Sequence, residues 1–257
     1  MIRLAHKVQG EGAPVILVHG LFGSMENLGA IARLLAGAGY QVQSLDMRNH
    51  GRSPHCDTMD YPSMSRDVLT YMNTTRLEQA TLLGHSMGGK TVMQLALDAP
   101  DRVKALVVAD ISPVEYPPHH QSVMAGLAAI GDPAKLTSRQ EADAILREYV
   151  PEDAVRLFLL KNLVREGDGF AWRINLPVIQ ASYDKIMAGQ SGGPYCGPTL
   201  FIKGGASDYI RPEHRQTIAR LFPKAELKVI PGTGHWLHAE KPKLFASIVD
   251  RFLKAHA

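Results

Sequence analysis

Residues 80–97 read ATLLGHSMGGKTVMQLAL. The apolar run at 80–84 predicts a buried strand, and 87–97 predicts a helix. Between them, Gly84-His85-Ser86-Met87-Gly88 fits the pattern G-x-S-x-G. A serine placed there sits in a strained strand-to-helix turn that lifts its hydroxyl clear of the sheet. Bulky side chains two positions to either side would collide across the turn, and both positions are glycine. The helix N-terminus also aims the Met87 N–H at any oxyanion that develops beside Ser86.

The same letters fit a second pattern. Gly84-x4-Gly89-Lys90-Thr91 satisfies the phosphate-binding P-loop signature G-x4-G-K-[ST]. Its expected context, strand then helix, is identical. Leu106-Val107-Val108-Ala109-Asp110 also resembles the magnesium-binding strand of an NTPase. The choice between serine chemistry and nucleotide hydrolysis therefore rests on the rest of the chain.

Outward from this turn, short apolar runs alternate with helical periodicity. Strands are predicted at 2–8, 15–19, 40–46, 80–84, 103–109, 199–203 and 225–230, with a turn at Gly10-Glu11-Gly12. Helices are predicted at 27–36, 63–73, 87–97, 213–221 and 243–254. This alternation implies an α/β fold with a mostly parallel sheet covered on both faces, whose ligands bind at the carboxyl ends of the strands. Residues 114–197 break the rhythm and read mainly as helices. Thr137-x-x-Gln140 and Ser138-x-x-Glu141 are overlapping capping-box candidates, and Pro151-Glu152-Asp153 can open another helix. The expected organisation is a core of 1–113 and 198–257 with an inserted helical cap at 114–197. The cap's charge is 8 Lys/Arg minus 10 Asp/Glu, or −2.

Composition narrows the function classes. Among 257 residues there are 28 Lys/Arg and 25 Asp/Glu, so the net charge is +3, with 45% hydrophobic residues. That is ordinary globular composition. The charge is too small to argue for nucleic acid or an anionic membrane. No apolar run approaches the roughly 18 residues of a membrane span, and MIRLAHKVQGEG lacks the apolar region of a signal peptide. Cys56 and Cys196 match no zinc or disulfide spacing, which suits a reducing, cytoplasmic setting. No His/Asp/Glu cluster has metal-ligand spacing, so neither metal nor cofactor is expected.

A serine hydrolase needs a histidine base, an acid to orient it and a second oxyanion donor. Gly234-His235 follows the last predicted strand in the turn Pro231-Gly232-Thr233-Gly234, which puts His235 at the carboxyl edge of the sheet. His19-Gly20-Leu21-Phe22-Gly23-Ser24 follows an early strand and offers the Leu21 N–H. A P-loop enzyme needs neither feature, so the balance favours the hydrolase. HGLFGS (19–24), DMRNHGRS (46–53), GHSMGG (84–89) and PGTGHW (231–236) resemble the α/β-hydrolase family over nearly the whole chain. With ADISPVEY (109–116) and HWLHAEKP (235–242), the sequence is more narrowly similar to the YbfF-type bacterial esterases. The resemblance implies hydrolysis of a small acyl ester or thioester, including acyl-CoA, through an acyl-enzyme.

Two aspartates compete as the acid. Asp110 lies 24 residues after Ser86, at the end of a strand, and Asp208 lies 27 residues before His235. An acid three residues after a glycine in the later loop would be Asp208 counted from Gly205, but Ser207 counted from Gly204. The YbfF-type resemblance implies Asp110.

The remaining residues carry weaker expectations. His19 is expected to brace the oxyanion loop. His85, His50 and His238 are expected to support loops, and His119-His120 to be solvated. Arg48 and Arg52 sit in a loop read as structural, with contact to an anionic substrate as the alternative. One or two of Phe158, Leu159 and Leu160 are expected to line an acyl pocket. Alternatives for the whole chain are a lyase or perhydrolase using the same serine, a non-enzymatic ligand receptor on this scaffold, and the P-loop NTPase at Gly84–Thr91.

Overall fold

A computed structural model describes residues 2–256. Seven strands form one sheet in the order β1-β3-β2-β4-β5-β8-β9. They are β1 (His6–Gln9), β2 (Ala13–Val18), β3 (Tyr40–Leu45), β4 (Ala80–His85), β5 (Val103–Ala109), β8 (Thr199–Gly204) and β9 (Ala225–Ile230). Strand β1 pairs antiparallel with β3, and the others are parallel. Parallel neighbours align their carboxyl ends, so the loops after β2, β4, β5, β8 and β9 meet along one edge.

The strand period of two divides the core. Val15, Leu17, Leu83, Val107, Leu200 and Ile202 face one side, under α1 (Gly29–Gly37) and α11 (Pro242–Ala255). Ile16, Val18, Leu82, Leu106, Val108 and Phe201 face the other, under α2 (Tyr61–Thr74), α3 (Met87–Asp98) and α9 (Arg215–Leu221). Residues buried on alternate sides explain why the central strands β2, β4, β5 and β8 read as nearly continuous apolar runs. Helix α2 begins earlier than its periodicity predicted because Asp60 caps it, accepting from the Ser63 N–H at 2.8 Å. The predicted strand at 2–8 pairs only from His6, and the helix predicted from 27 is a 3-10 turn up to Leu28.

Between β5 and β8 the chain forms α4 (Gln121–Ala129), α5 (Arg139–Arg147), α6 (Asp153–Leu160), α7 (Leu176–Ala181) and α8 (Tyr183–Met187). Of the two capping candidates, Ser138 is the one that caps α5, accepting from the Glu141 N–H at 3.2 Å. The reading of this segment as mainly helical missed a hairpin, β6 (Leu163–Glu166) with β7 (Gly169–Trp172). Its two-residue turn places Gly167 at φ 57°, conformational freedom that glycine supplies. The last short helix, α10 (Leu237–Glu240), follows the His235 loop.

Lys90 ties the inserted segment to α3. Its side chain is buried and donates to the carbonyls of Val114 at 2.6 Å, Met187 at 3.2 Å and Ala188 at 2.5 Å. The first carbonyl lies where the chain leaves the core, and the other two where it returns. The Tyr61 and Tyr116 rings lie 5.6 and 4.8 Å from the ammonium. Burial lowers its pKa to about 7, partly offset by Glu115. Lys90→Met would leave buried carbonyls unpaired, at about 1–3 kcal/mol for each that finds no water. The variant is expected to melt several degrees lower and to be cleaved faster by protease near 114 and 188, measured by thermal denaturation and limited proteolysis.

Candidate active site

Ser86 sits between β4 and α3 at φ 54°, ψ −120°. Side-chain-bearing residues hold such a conformation only where the surroundings fix it. Its N–H donates to Ala109 C=O at 3.0 Å, and Lys90 N–H donates to its carbonyl at 3.0 Å. The glycines around it are needed for space. A Cβ on Gly84 would fall 2.2 Å from Gly88 O, and one on Gly88 would fall 2.2 Å from Val18 O. The turn thus lies directly against the end of β2, beside the loop that carries Leu21.

In that loop, Gly23 N–H donates to Gly20 C=O at 3.0 Å, and Phe22 N–H to His50 Nε2 at 3.1 Å. Among the described residues, Leu21 N–H has no hydrogen-bond acceptor. Met87 N–H heads α3, where no intrahelical carbonyl satisfies it. Both residues border the space in front of Ser86.

Asp110 follows β5 at φ 52°, in the left-handed region that Asp tolerates better than most residues. Its carboxylate is fully buried and fully used. Oδ1 accepts from Gly204 N–H at 2.9 Å, and Oδ2 accepts from His235 Nδ1 at 2.8 Å and from the Ser207 hydroxyl. Nδ1 therefore carries the ring proton, leaving Nε2 as the basic nitrogen. Ser86 and His235 line one cavity of about 440 Å³, within the small-molecule range. Asp208 is exposed, and its carbonyl accepts from Arg211 Nε at 3.0 Å. The count from Gly204 is the one that points inward: Ser207 meets the Asp110 carboxylate.

The neighbouring histidines hold the loops. His19 donates through Nδ1 to Gly20 C=O at 2.8 Å and accepts from Met47 N–H at 3.0 Å. His50 donates through Nδ1 to Arg48 C=O at 3.0 Å. His85 Nε2 donates to His235 C=O at 2.9 Å, tying the elbow to the loop that carries His235. The His238 ring packs on His85 at 4.3 Å. Burial lowers the pKa of His19 to about 4, of His50 to about 3 and of His238 to about 4, and holds His85 well below its ordinary value.

Several residues lay outside the sequence reading or behave differently from it. The Tyr209 ring stacks on His235 at 4.1 Å, and its hydroxyl meets His119 Nε2 at 2.6 Å. His120 Nδ1 meets the Tyr183 hydroxyl at 2.9 Å, so the His119-His120 pair is engaged rather than merely solvated. Asn162, beyond α6, donates to Phe22 C=O at 2.7 Å and steadies the loop that carries Leu21 from the inserted segment. No local motif announces these contacts, because each joins elements distant in sequence. Arg48 makes a buried bidentate pair with Asp67 at 2.6 and 2.8 Å, and Arg52 is exposed beside Glu26 at 3.9 Å. Phe158 and Leu159 line the cavity, while Leu160 packs in the core.

The P-loop alternative fails on this geometry. Lys90 spends its donors on three backbone carbonyls, and Asp110 faces a histidine.

Residues 13–130 match the family model described as the alpha/beta hydrolase fold. The chain is 42% identical to esterase YbfF of Escherichia coli, over 95% of this chain and 94% of that protein. The chain belongs to the α/β-hydrolase family. It is also 44% identical to the mouse sn-1-specific diacylglycerol lipase ABHD11, over 93% of this chain and 80% of that one. A solved marine microorganism esterase superposes with a TM-score of 0.95 at 41% identity, covering 98% of this chain and all of the other. This α/β hydrolase is a carboxylic ester hydrolase. None of its helices is long and apolar enough to cross a membrane, among the described residues.

The neutral histidines predict a pH dependence of stability. In the unfolded chain they take up protons near 6.5, and in the fold His19 and His238 do so only near 4. The unfolded state therefore binds more protons between those values, and stability falls as pH falls through that window. The melting temperature is expected to drop progressively from pH 6.5 to 4, measured by scanning calorimetry. A flat profile would mean that these rings are not held neutral.

Proposed function

We propose that Ser86 is the nucleophile of this ester hydrolase, His235 its general base and Asp110 the acid. The observation that carries the proposal is the buried Asp110 carboxylate 2.8 Å from His235 Nδ1, with Nε2 unbonded among the described residues and Ser86 on the same cavity. His235 takes the Ser86 proton as the hydroxyl oxygen attacks the acyl carbonyl. The Leu21 and Met87 N–H groups receive the oxyanion; losing one such donor costs about 100- to 1000-fold in a protease precedent. His235 then protonates the leaving oxygen, and later activates the water that releases the acid. Asp110 holds the productive tautomer throughout.

The same steps serve thioesters, in which a thiol leaves in place of an alcohol. Esters of uncharged alcohols fit better than acyl-CoA. The cavity is lined by Glu26 and Glu240 with Lys161 as the lone cation of that set, a poor match for a polyphosphate. Cys56 and Cys196 are both free thiols, which supports action in a reducing compartment such as the cytoplasm.

Asp110→Asn is expected to lower kcat by about 10⁴-fold through the wrong imidazole tautomer, whereas Asp208→Asn retains near-normal turnover. Steady-state kinetics on p-nitrophenyl acetate, with fluorophosphonate labelling mapped to Ser86, measures both. Near-normal turnover in Asp110→Asn would remove that residue from the assignment, and unlabelled Ser86 would remove the nucleophile.

A further inference from the structure

The space around Ser86 has two arms of very different size. The wide arm holds about 440 Å³ and is lined by Phe22, Val123, Phe158, Trp236 and His235. The narrow arm holds about 20 Å³ and lies among Met87, Ile111, Tyr116, Ile186 and Met187, with Lys90 also on its wall. Leu21, Ser86 and His120 border both arms, whereas His235 lines only the wide one.

This asymmetry orients a substrate. During attack the acyl carbon is bonded to Ser86 Oγ, and its oxyanion points at the Leu21 and Met87 N–H groups. Two substituents remain, the acyl chain and the leaving oxygen. The leaving oxygen must come within hydrogen-bond reach of His235, which gives it a proton. It therefore lies in the wide arm with the alcohol group behind it. The acyl chain points the other way. This orientation rests on the roles proposed above for Ser86 and His235.

We infer that the enzyme is specific for esters of very short acids, acetyl foremost, with bulky apolar alcohols. An opening of about 20 Å³ is little more than the room one water needs, so it takes a methyl group and not a chain. Its walls are set in place. Ile111, Ile186 and Met187 are buried, and Lys90 holds the carbonyls of Met187 and Ala188. Widening the slot strains those bonds. The wide arm, with Phe158 and Leu159 on its wall, takes the alcohol, in place of the acyl role expected for those residues. In the reaction the Ser86 Oγ–acyl bond forms as the acyl–alcohol bond breaks. The serine proton passes through His235 to the departing alcohol. Water then attacks the acetyl-enzyme, returns a proton to Ser86 through His235, and leaves acetate and a proton.

Two isomeric esters test this orientation. Octyl acetate and ethyl octanoate have the same formula and nearly the same apolar surface, and differ in which side is long. We expect kcat/KM to favour octyl acetate by at least about tenfold, the lower range of discrimination for pocket fit. An equal or inverted ratio, with Ser86 still labelled by fluorophosphonate, overturns the orientation and leaves the serine mechanism standing. Unlabelled Ser86 overturns both. Met187→Ala, or Ile186→Ala should the first not fold, is expected to move the ratio several-fold toward ethyl octanoate. A ratio unchanged in a folded variant removes the narrow arm as the acyl site.

Discussion

Three backbone segments meet at Ser86 more closely than side chains would allow: the end of β2, the β4–α3 turn and the start of the loop that carries Leu21. Gly84 lies against Gly88, Gly88 against Val18, and Gly20 against Ser86 itself. Everything else in the site depends on that closeness. It brings the Leu21 N–H, from one strand, to the same small volume as the Met87 N–H, from the next. It starts α3 at the serine, so that Lys90, one turn later, reaches both ends of the inserted segment. A methyl group at Gly88 would push β2 and α3 apart and dismantle these relations together.

Around the turn lies a group of histidines that burial keeps neutral. Desolvation disfavours their charged form, and backbone groups fix the tautomers of His19 and His50. They therefore act as shaped hydrogen-bonding pieces that hold loops without adding positive charge near His235. Asp110 differs from them. It is buried yet receives three donors, from Gly204, Ser207 and His235, which is how a buried carboxylate is kept stable.

The sheet was legible in the sequence because its central strands β2, β4, β5 and β8 are buried on both faces, and because helices such as α2 and α11 carry one apolar stripe. The serine turn was legible because steric necessity leaves a local signature, glycine two residues to either side. The β6–β7 hairpin was harder to see: each strand has four residues and carries a short pattern inside a helical stretch. Tyr209 over His235, Asn162 under the loop that carries Leu21 and the three carbonyls on Lys90 were not legible. They arise when distant elements pack, and no spacing records them. Lys90 was the most misleading residue, since a lysine after two glycines at a helix start also suits a phosphate. Its true environment depends on Val114, Met187 and Ala188, which the local pattern does not include.

That Asp110 rather than Asp208 lies beside His235 has a topological reason. Strands β5 and β8 are adjacent and parallel, so the loops leaving them open onto the same spot beside His235. A carboxylate can reach that spot from either loop, and only one can occupy it. Here Asp110 fills it from β5 by taking a left-handed backbone conformation, and the β8 loop adapts by presenting Ser207 as a donor. Asp208, one residue further, is turned outward by the strict succession of that loop. A carboxylate at position 207 would face Asp110 across a hydrogen-bond distance in a buried space, and the repulsion would force one of the two to hold a proton. The serine at 207 is thus the complement of the aspartate at 110, and the two positions have to be read as a pair.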